Sequence, residues 1–334
     1  PHEGKRDTNS GLVGSYMCIR DRPTTFDDVR AAAARIAGHV HRTPVLTSRS
    51  VNAACGGELF FKCENFQRIG AFKARGAANA VLSLDEPTAA RGVATHSSGN
   101  HGAALALAAS VRGIPSWIVV PTDAPAVKTA SVRRLGANFV SCEPGLAQRE
   151  AKLEEVLSET RAEMVHPYND WRVIAGQGTA AMELLEDQPE LDVLLAPVGG
   201  GGLISGSAIA AKAMRPGIRV IGCEPAGADD AKRSFESGEL LPMPNPNTIA
   251  DGLRGALGTR SFAVIRTLVD EMVTVTDEQI VAAMRLVWER MKIIIEPSCA
   301  VPVAALMFGA VRLDGRRAGI ILTGGNVDLD HLPW

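Results

Sequence analysis

Aromatic residues are scarce: Phe, Trp and Tyr make up 4% of the 334 positions. Few rings are then available to stack on unpaired bases, which argues against single-stranded nucleic acid as a partner. A surplus of either charge is missing too. Lys and Arg number 35 against 37 Asp and Glu, a net charge of −2, so no basic field points to DNA or an anionic membrane. The six cysteines, Cys18, Cys55, Cys63, Cys142, Cys223 and Cys299, show no CxxC spacing. That excludes a zinc ribbon or a disulfide framework and fits free thiols in a reducing compartment. The longest runs without Asp, Glu, Lys or Arg are 92–111 and 193–211. The first holds His96 and His101, the second Pro197 and four consecutive glycines, and neither suits a bilayer-spanning helix. The start of the chain has no apolar signal core. A cytoplasmic protein without nucleic-acid or membrane partners is expected.

A 46% hydrophobic and 22% charged composition is that of a globular protein, and the length suggests two lobes. Residues 1–22 lack helical or strand periodicity, and 15–22 read like translated adapter sequence; this tail is treated as an artefact foreign to the fold. From Thr25 the pattern is regular. Thr25 with Asp28 makes an acidic capping box, Phe26, Val29, Ala33 and Ile36 recur at helical spacing, and Gly38 ends the helix. Apolar strands are predicted at 59–61, 92–95, 117–120, 138–141, 193–198, 219–223 and 319–322. Helices are predicted at about 71–84, 102–111, 147–162 and 177–185. Continuous apolar strands alternating with helices mean α/β architecture with mostly parallel sheets covered on both faces. Ligands then belong at the carboxyl ends of strands.

Three segments at such ends carry candidate chemistry. Gly199-Gly200-Gly201-Gly202 follows the strand 193–198 and precedes a helix starting near Leu203. Four residues without Cβ let backbone N–H groups close on an anion at a helix N-terminus; the plainer reading is a turn that lets helix and strand pack closely. GxGxxG fails, because counting from Gly200 the last position is Ser205. On the phosphate reading, a bulkier residue at Gly200 should weaken ligand retention more than folding. Ser97-Ser98-Gly99-Asn100-His101-Gly102 puts two hydroxyls and a carboxamide before a helix, where a simple N-cap would also suit them. Gly70-Ala71-Phe72-Lys73-Ala74-Arg75-Gly76 holds a lysine among small residues, either a solvated amine or a buried one able to form a Schiff base.

Imine lysine, phosphate cradle and amide are the parts that pyridoxal phosphate needs. In this order they resemble the fold-type-II pyridoxal-phosphate enzymes, and within them the serine/threonine dehydratase and serine racemase group. Phe61-Lys62-Cys63-Glu64-Asn65-Phe66-Gln67, Val173-Ile174-Ala175-Gly176-Gln177-Gly178-Thr179, Glu296-Pro297-Ser298 and Gly324-Gly325-Asn326-Val327-Asp328 complete the resemblance, which runs from about Thr25 to Asp328. It implies two doubly wound lobes of the tryptophan synthase β type: a large cofactor-binding domain of residues 23–85 and 169–334, and a small domain of 86–168. It also implies a homodimer. Lys73 would carry the cofactor as an imine, Phe72 would pack against the ring, Asn100 would bond the ring hydroxyl, and Gly199, Gly200, Gly201, Gly202 and Leu203 would hold the phosphate. Glu296 would join the cofactor site, and Thr323 would face the pyridine nitrogen. Ser97, Ser98, Asn100, His101, Arg149 and Tyr168 would meet the amino-acid substrate, Ser98 serving the opposite ring face from Lys73.

Cys223-Glu224-Pro225-Ala226-Gly227-Ala228-Asp229-Asp230 resembles the segment where such enzymes bind magnesium, manganese or calcium. Glu224 and Asp230 would give carboxylates and Ala228 a carbonyl, although Asp229 and Asp230 equally suit a helix N-terminus. Two departures lean away from a dedicated racemase: Tyr168 where mammalian-type racemases have asparagine, and Gly255 where they have serine. Arg149 leaves 3-hydroxyaspartate open as a substrate. The resemblance thus implies an ammonia-lyase converting L-serine, L-threonine or a close 3-hydroxy amino acid to a 2-oxo acid and ammonia, with racemisation as a side activity. The alternatives are a serine racemase proper, a 3-hydroxyaspartate ammonia-lyase, a cysteine-synthase-type β-replacement transferase, and a non-catalytic binder on the same fold.

Overall fold

A computed structural model describes residues 22–97, 99–123 and 132–334. Among the described residues ten strands are seen: β1 (Val45–Leu46), β2 (Glu58–Cys63), β3 (Val93–Thr95), β4 (Ser116–Pro121), β5 (Asn138–Cys142), β6 (Glu163–Met164), β7 (Val193–Pro197), β8 (Arg219–Pro225), β9 (Glu271–Val275) and β10 (Arg317–Leu322). They form a six-stranded sheet in the order β1-β2-β10-β7-β8-β9 and a four-stranded sheet in the order β5-β4-β3-β6. Every pairing is parallel except β1 with β2, so helices must make the crossovers.

Side-chain alternation explains the layering. Val193 and Leu195 of β7 enter one core with residues of the helices Asp277–Met291 and Pro297–Met307, while Leu194 and Ala196 enter another with the helices Trp171–Asp187 and Gly202–Met214. A strand apolar on both faces is thereby buried on both faces. The small sheet repeats the scheme. Val93, Ile118 and Val120 pack toward the helices Lys73–Leu82 and Asn100–Arg112, whereas Ala94 and Val119 face Leu153 and Val156 of the helix Leu146–Thr160.

The first helix, Phe26–Ile36, starts at the expected capping box: the Asp28 carboxylate accepts from the Thr25 backbone N–H at 2.8 Å. Gly38 follows it with φ 79°. Arg22, assigned to the excluded tail, pairs with Asp28 at 2.6 Å; residues 1–21 lie outside the described residues. No described helix is long and apolar enough to cross a membrane.

Candidate active site

The chemistry-bearing segments all follow the carboxyl ends of strands. After β2, two 3-10 turns lead to Ala71, which makes an isolated bridge with Gly324 beyond β10. The Phe72 N–H donates to the Thr323 carbonyl at 3.0 Å, so the lysine segment is tied to the end of the central strand β10. Lys73 then opens a helix of small residues, Ala74, Gly76, Ala77, Ala78 and Ala80 among them, which packs closely against two neighbours.

That helix is clamped by an internal charge cluster. Arg75 is fully buried and holds Glu64 at 2.7 and 2.8 Å and Glu183 at 2.8 Å through two nitrogens. Lys62, also fully buried, meets Glu183 at 2.7 Å and the Thr43 carbonyl at 2.6 Å. Two cations and two carboxylates balance, which is the condition for burying them at all.

Lys73 is half-buried, and its Nζ donates to the Pro167 carbonyl at 2.8 Å and lies 5.1 Å from the Phe72 ring centroid. Desolvation by burial pulls its pKa down from 10.5 to about 8, opposed by the charge of Glu296. The solvated-amine reading is therefore set aside: this amine gives up a proton far more readily than a surface lysine.

The second segment leaves β3 at Thr95. Asn100 is the first residue of its helix, which Gly99 precedes as N-cap with no side-chain cap bond, and its Nδ2 donates to Glu296 at 3.0 and 3.3 Å, so Asn100 is not an N-cap. His101 is buried, with Nε2 3.0 Å from the Val165 carbonyl and Nδ1 without a hydrogen-bond partner. Desolvation first, and then the Lys73 charge, push its pKa down to about 3, so it is neutral. Gly102 is required where it stands, because a Cβ there would strike the Ser97 carbonyl. Ser98 lies outside the described residues.

The glycine loop after β7 is buried throughout, and Gly201 has φ 83°. A Cβ on Gly199 would come within 2.8 Å of Leu253 Cα, one on Gly201 within 2.7 Å of Ser261, and one on Gly202 within 3.0 Å of Tyr168. At Gly200 a Cβ would run into the Tyr168 ring itself. Each glycine is thus demanded by the protein's own packing, and the first N–H groups of the helix Gly202–Met214, including Leu203, have no partner within that helix.

Tyr168 is half-buried, with its ring against Gly200 and its Cε1 3.3 Å from where a Cβ of Gly255 would lie. Burial pushes its pKa to about 12, leaving a neutral phenol. Its ring meets His166 edge-on at 4.6 Å, and His166 in turn faces His96 at 6.1 Å. His166 Nδ1 accepts from the Asn169 N–H at 2.9 Å, and burial, with the His96 and Lys73 charges, lowers its pKa to about 4. This histidine wall escaped the sequence reading, since a lone His after a two-residue strand carries no spacing signal. Arg149, half-buried on the helix Leu146–Thr160, acts by its charge on His96 and Tyr168.

Thr323 is 3% exposed; its hydroxyl sits beside the Cys299 thiol and has no nitrogen or oxygen partner. A buried orphan hydroxyl costs about 1–3 kcal/mol, so one more polar group belongs there. A pyridine nitrogen would suit that hydroxyl, as a phosphate would suit the glycine loop and an aldehyde Lys73. The residues present therefore suit pyridoxal phosphate.

The acidic segment after β8 is arranged differently from a plain cap. Glu224, not Asp230, caps the helix Asp230–Ser237, accepting from the Ala231 and Lys232 N–H groups at 3.2 and 2.7 Å. Asp230 is 1% exposed; Oδ2 accepts from the Leu257 N–H at 2.7 Å and Oδ1 has no partner. Ala228 is buried between them in sequence, and among the described residues no cluster of three His, Cys, Asp or Glu side chains could hold a metal.

Comparison with known proteins agrees with this geometry. A beta-hydroxyaspartate dehydratase from Paracoccus denitrificans (strain Pd 1222) is 50% identical over 310 residues, 93% of this chain and 98% of that protein. A serine racemase from Arabidopsis thaliana is 50% identical over 309 residues, 91% of this chain and 93% of that protein. The solved structure of maize serine racemase superposes with a TM-score of 0.90 at 47% identity, covering 92% of this chain and 95% of that one. Residues 36–324 match the family described as pyridoxal-phosphate dependent enzyme, and the chain belongs to that family.

Proposed function

We propose that this chain is an ammonia-lyase that dehydrates L-serine, L-threonine or a related 3-hydroxy amino acid to a 2-oxo acid and ammonia. The observation that carries the reading is Lys73: an amine whose pKa burial draws to about 8, with its Nζ donating to the neutral Pro167 carbonyl at 2.8 Å rather than to a carboxylate. Pyridoxal phosphate, when bound, supplies the electron sink that makes the substrate Cα proton acidic. The chain's part is to bind, orient and move protons. The Lys73 amine would take the substrate Cα proton as general base, and the Pro167 carbonyl gives its N–H a fixed direction. Thr323 would meet the cofactor's ring nitrogen with its hydroxyl, a group too weak an acid to keep that nitrogen protonated. Phe72, Asn100, Glu296, Gly199–Gly202 and Leu203 hold the cofactor in this reading. Ser97, His101 and Tyr168 meet the substrate in this reading, and Ser98, outside the described residues, keeps the racemising role that the resemblance implies. Residues 23–85 with 169–334 make the cofactor lobe and 86–168 the smaller one.

Arg149 favours one substrate in particular. Its charge acts on His96 and Tyr168, where that of Glu150 opposes it; a cation in this position would pair with a distal carboxylate, and 3-hydroxyaspartate is the candidate. The relative that is 50% identical is described as a beta-hydroxyaspartate dehydratase. Release of 2-oxo acid from serine, threonine and 3-hydroxyaspartate, with parent and Arg149→Leu, tests both points. Turnover of none of the three sinks the lyase reading; an equal effect of Arg149→Leu on serine and 3-hydroxyaspartate sinks the carboxylate role.

A divalent cation (Mg²⁺, Mn²⁺ or Ca²⁺) on Glu224, Asp230 and the Ala228 carbonyl belongs to the same proposal. Its support is the orphan Asp230 Oδ1, together with carboxyl pKa values raised chiefly by desolvation at both acids. Both are buried acids on which the Arg233 guanidinium acts as a counter-charge from the surface. We further propose a cytoplasmic homodimer; the five cysteines among the described residues are all buried and free, and sedimentation would read the assembly.

A further inference from the structure

Two carboxamides and a carboxylate form a hydrogen-bonded chain along the rim of the site. Asn326 Nδ2 donates to the Ile69 carbonyl at 2.8 Å and to Asn100 Oδ1 at 2.8 Å. Asn100 Nδ2 donates in turn to Glu296 Oε1 at 3.0 Å and Oε2 at 3.3 Å. The polarity of this chain is fixed at its Ile69 end, because a main-chain carbonyl can only accept. Asn326 must turn its nitrogen toward Ile69. Asn100 must then present its oxygen to Asn326 and its nitrogen to Glu296.

The surrounding backbone is shaped to admit the two ends. A Cβ on Gly70 would stand 2.6 Å from Asn326 Oδ1, and one on Gly324 would stand 2.6 Å from Glu296 Oε1. The turn under Asn326 is strained. Ile69 has φ 58°, an outlier for a β-branched residue, and Gly70 has φ 70°. The bond from Asn326 to the Ile69 carbonyl and that from the Gly325 N–H to the Gly70 carbonyl, 3.0 Å, close this turn just before Phe72 and Lys73.

We propose that Asn326 is a positioning residue that sets the rotational state of the Asn100 carboxamide, so that nitrogen rather than oxygen faces the cofactor's ring oxygen. This rests on the placement of Asn100 against the ring given under Proposed function. An N–H donor stabilises an ionised ring oxygen, whereas a carbonyl oxygen in its place repels it. Turning the amide over therefore changes the proton balance of the bound cofactor. Asn326 is exposed, so its replacement buries no orphaned group and the variants should fold.

The test is a pH titration of the visible absorbance of the pyridoxal-phosphate-loaded protein: parent, Asn326→Ala, Asn326→Asp, Ile69→Gly and Asn326→Ala/Ile69→Gly. Aspartate can donate to neither Ile69 nor Asn100 and so favours the turned-over amide. The expected result is a midpoint displaced by about one pH unit in Asn326→Asp, the size of one lost charge-assisted bond, and by less in Asn326→Ala. Ile69→Gly, which relaxes the turn without touching the amides, should not restore it. Parental midpoints in both Asn326 variants would overturn the proposal. So would restoration by Ile69→Gly, since Asn326 would then only be holding the turn. Melting of the unloaded proteins supplies the second reading. Parental melting with a displaced midpoint supports positioning; a drop that Ile69→Gly repairs opposes it. A parent that gains no visible band on adding pyridoxal phosphate would instead overturn the placement of Asn100, and this inference with it.

Discussion

Replacing Gly200 by alanine separates two explanations of the glycine loop. If the residue is glycine because a phosphate approaches its backbone, the added methyl should weaken cofactor binding and leave the unloaded protein as stable as before. The packing says otherwise. The new Cβ would point at Cγ, Cδ1 and Cδ2 of Tyr168, well inside van der Waals distance, and the ring must retreat by about 1 Å to regain ordinary carbon contact. Gly200 is not in the left-handed region, unlike Gly201, so backbone strain adds nothing. Overpacking of this kind costs about 1–3 kcal/mol, and the His166 ring, in T-shaped contact with Tyr168 at 4.6 Å, limits the retreat. Gly200→Ala should therefore lower the melting temperature of the unloaded protein as well as its cofactor affinity, the latter by about 5- to 150-fold if the same energy is felt on binding. In a Tyr168→Ala background the obstacle is gone, and both penalties should largely vanish. The assay is a double-mutant cycle read by cofactor titration and by melting of the unloaded proteins. Equal losses from Gly200→Ala with and without the Tyr168 ring would refute the packing account and return the loop to the phosphate alone.

Other outcomes follow from the same site. Lys73→Ala should abolish the visible cofactor band and 2-oxo acid release together, read by absorbance and a coupled assay. Cofactor capture by the unloaded protein should rise with pH around a midpoint near 8, because Lys73 must be unprotonated to attack an aldehyde. The stability sign is fixed by the same depression: the folded state binds fewer protons than the unfolded one between about 8 and 10.5, so this residue's share of stability rises with pH across that window and should disappear in Lys73→Met. Chelation should lower the melting temperature and Mg²⁺ or Ca²⁺ restore it, with the response lost in Asp230→Ala; parent curves unchanged by either treatment would leave Asp230 a structural acid. Gly255→Ser, which presses on the Tyr168 ring at 3.3 Å, should raise KM more than it lowers the melting temperature.

The seven strands anticipated from apolar runs all form; the central ones, such as β7 with Val193-Leu194-Leu195-Ala196-Pro197, are buried parallel strands that read as continuous apolar residues. β1 and β6 are two residues long and leave no pattern, and β9, Glu271-Met272-Val273-Thr274-Val275, is an edge strand with polar residues interleaved. The helix before β7 begins at Trp171, earlier than its apolar spacing suggested, because Asp170 caps it by accepting from the Arg172 N–H at 2.8 Å. At the site, the motifs were legible where chemistry demands rare residues in order, as in Phe72-Lys73 and Gly199–Gly202. What was not legible is contact between distant segments: the Pro167 carbonyl on Lys73, the His166 wall and the Tyr168 ring on Gly200. A main-chain acceptor has no letter in a sequence, and a ring's neighbour is set by the fold.

The buried quartet of Lys62, Glu64, Arg75 and Glu183 bears on how this sequence can change over time. Loss of any one member strands a charge away from water, at about 3–5 kcal/mol, a large share of the stability a domain has to spare. Single steps at these four positions are closed, while a simultaneous exchange of the whole set for apolar residues of like volume can be neutral. Lys73 thus rides on a helix whose anchorage drifts only in concert: the chain is free to vary its substrate wall one residue at a time, but not the footing on which its amine stands.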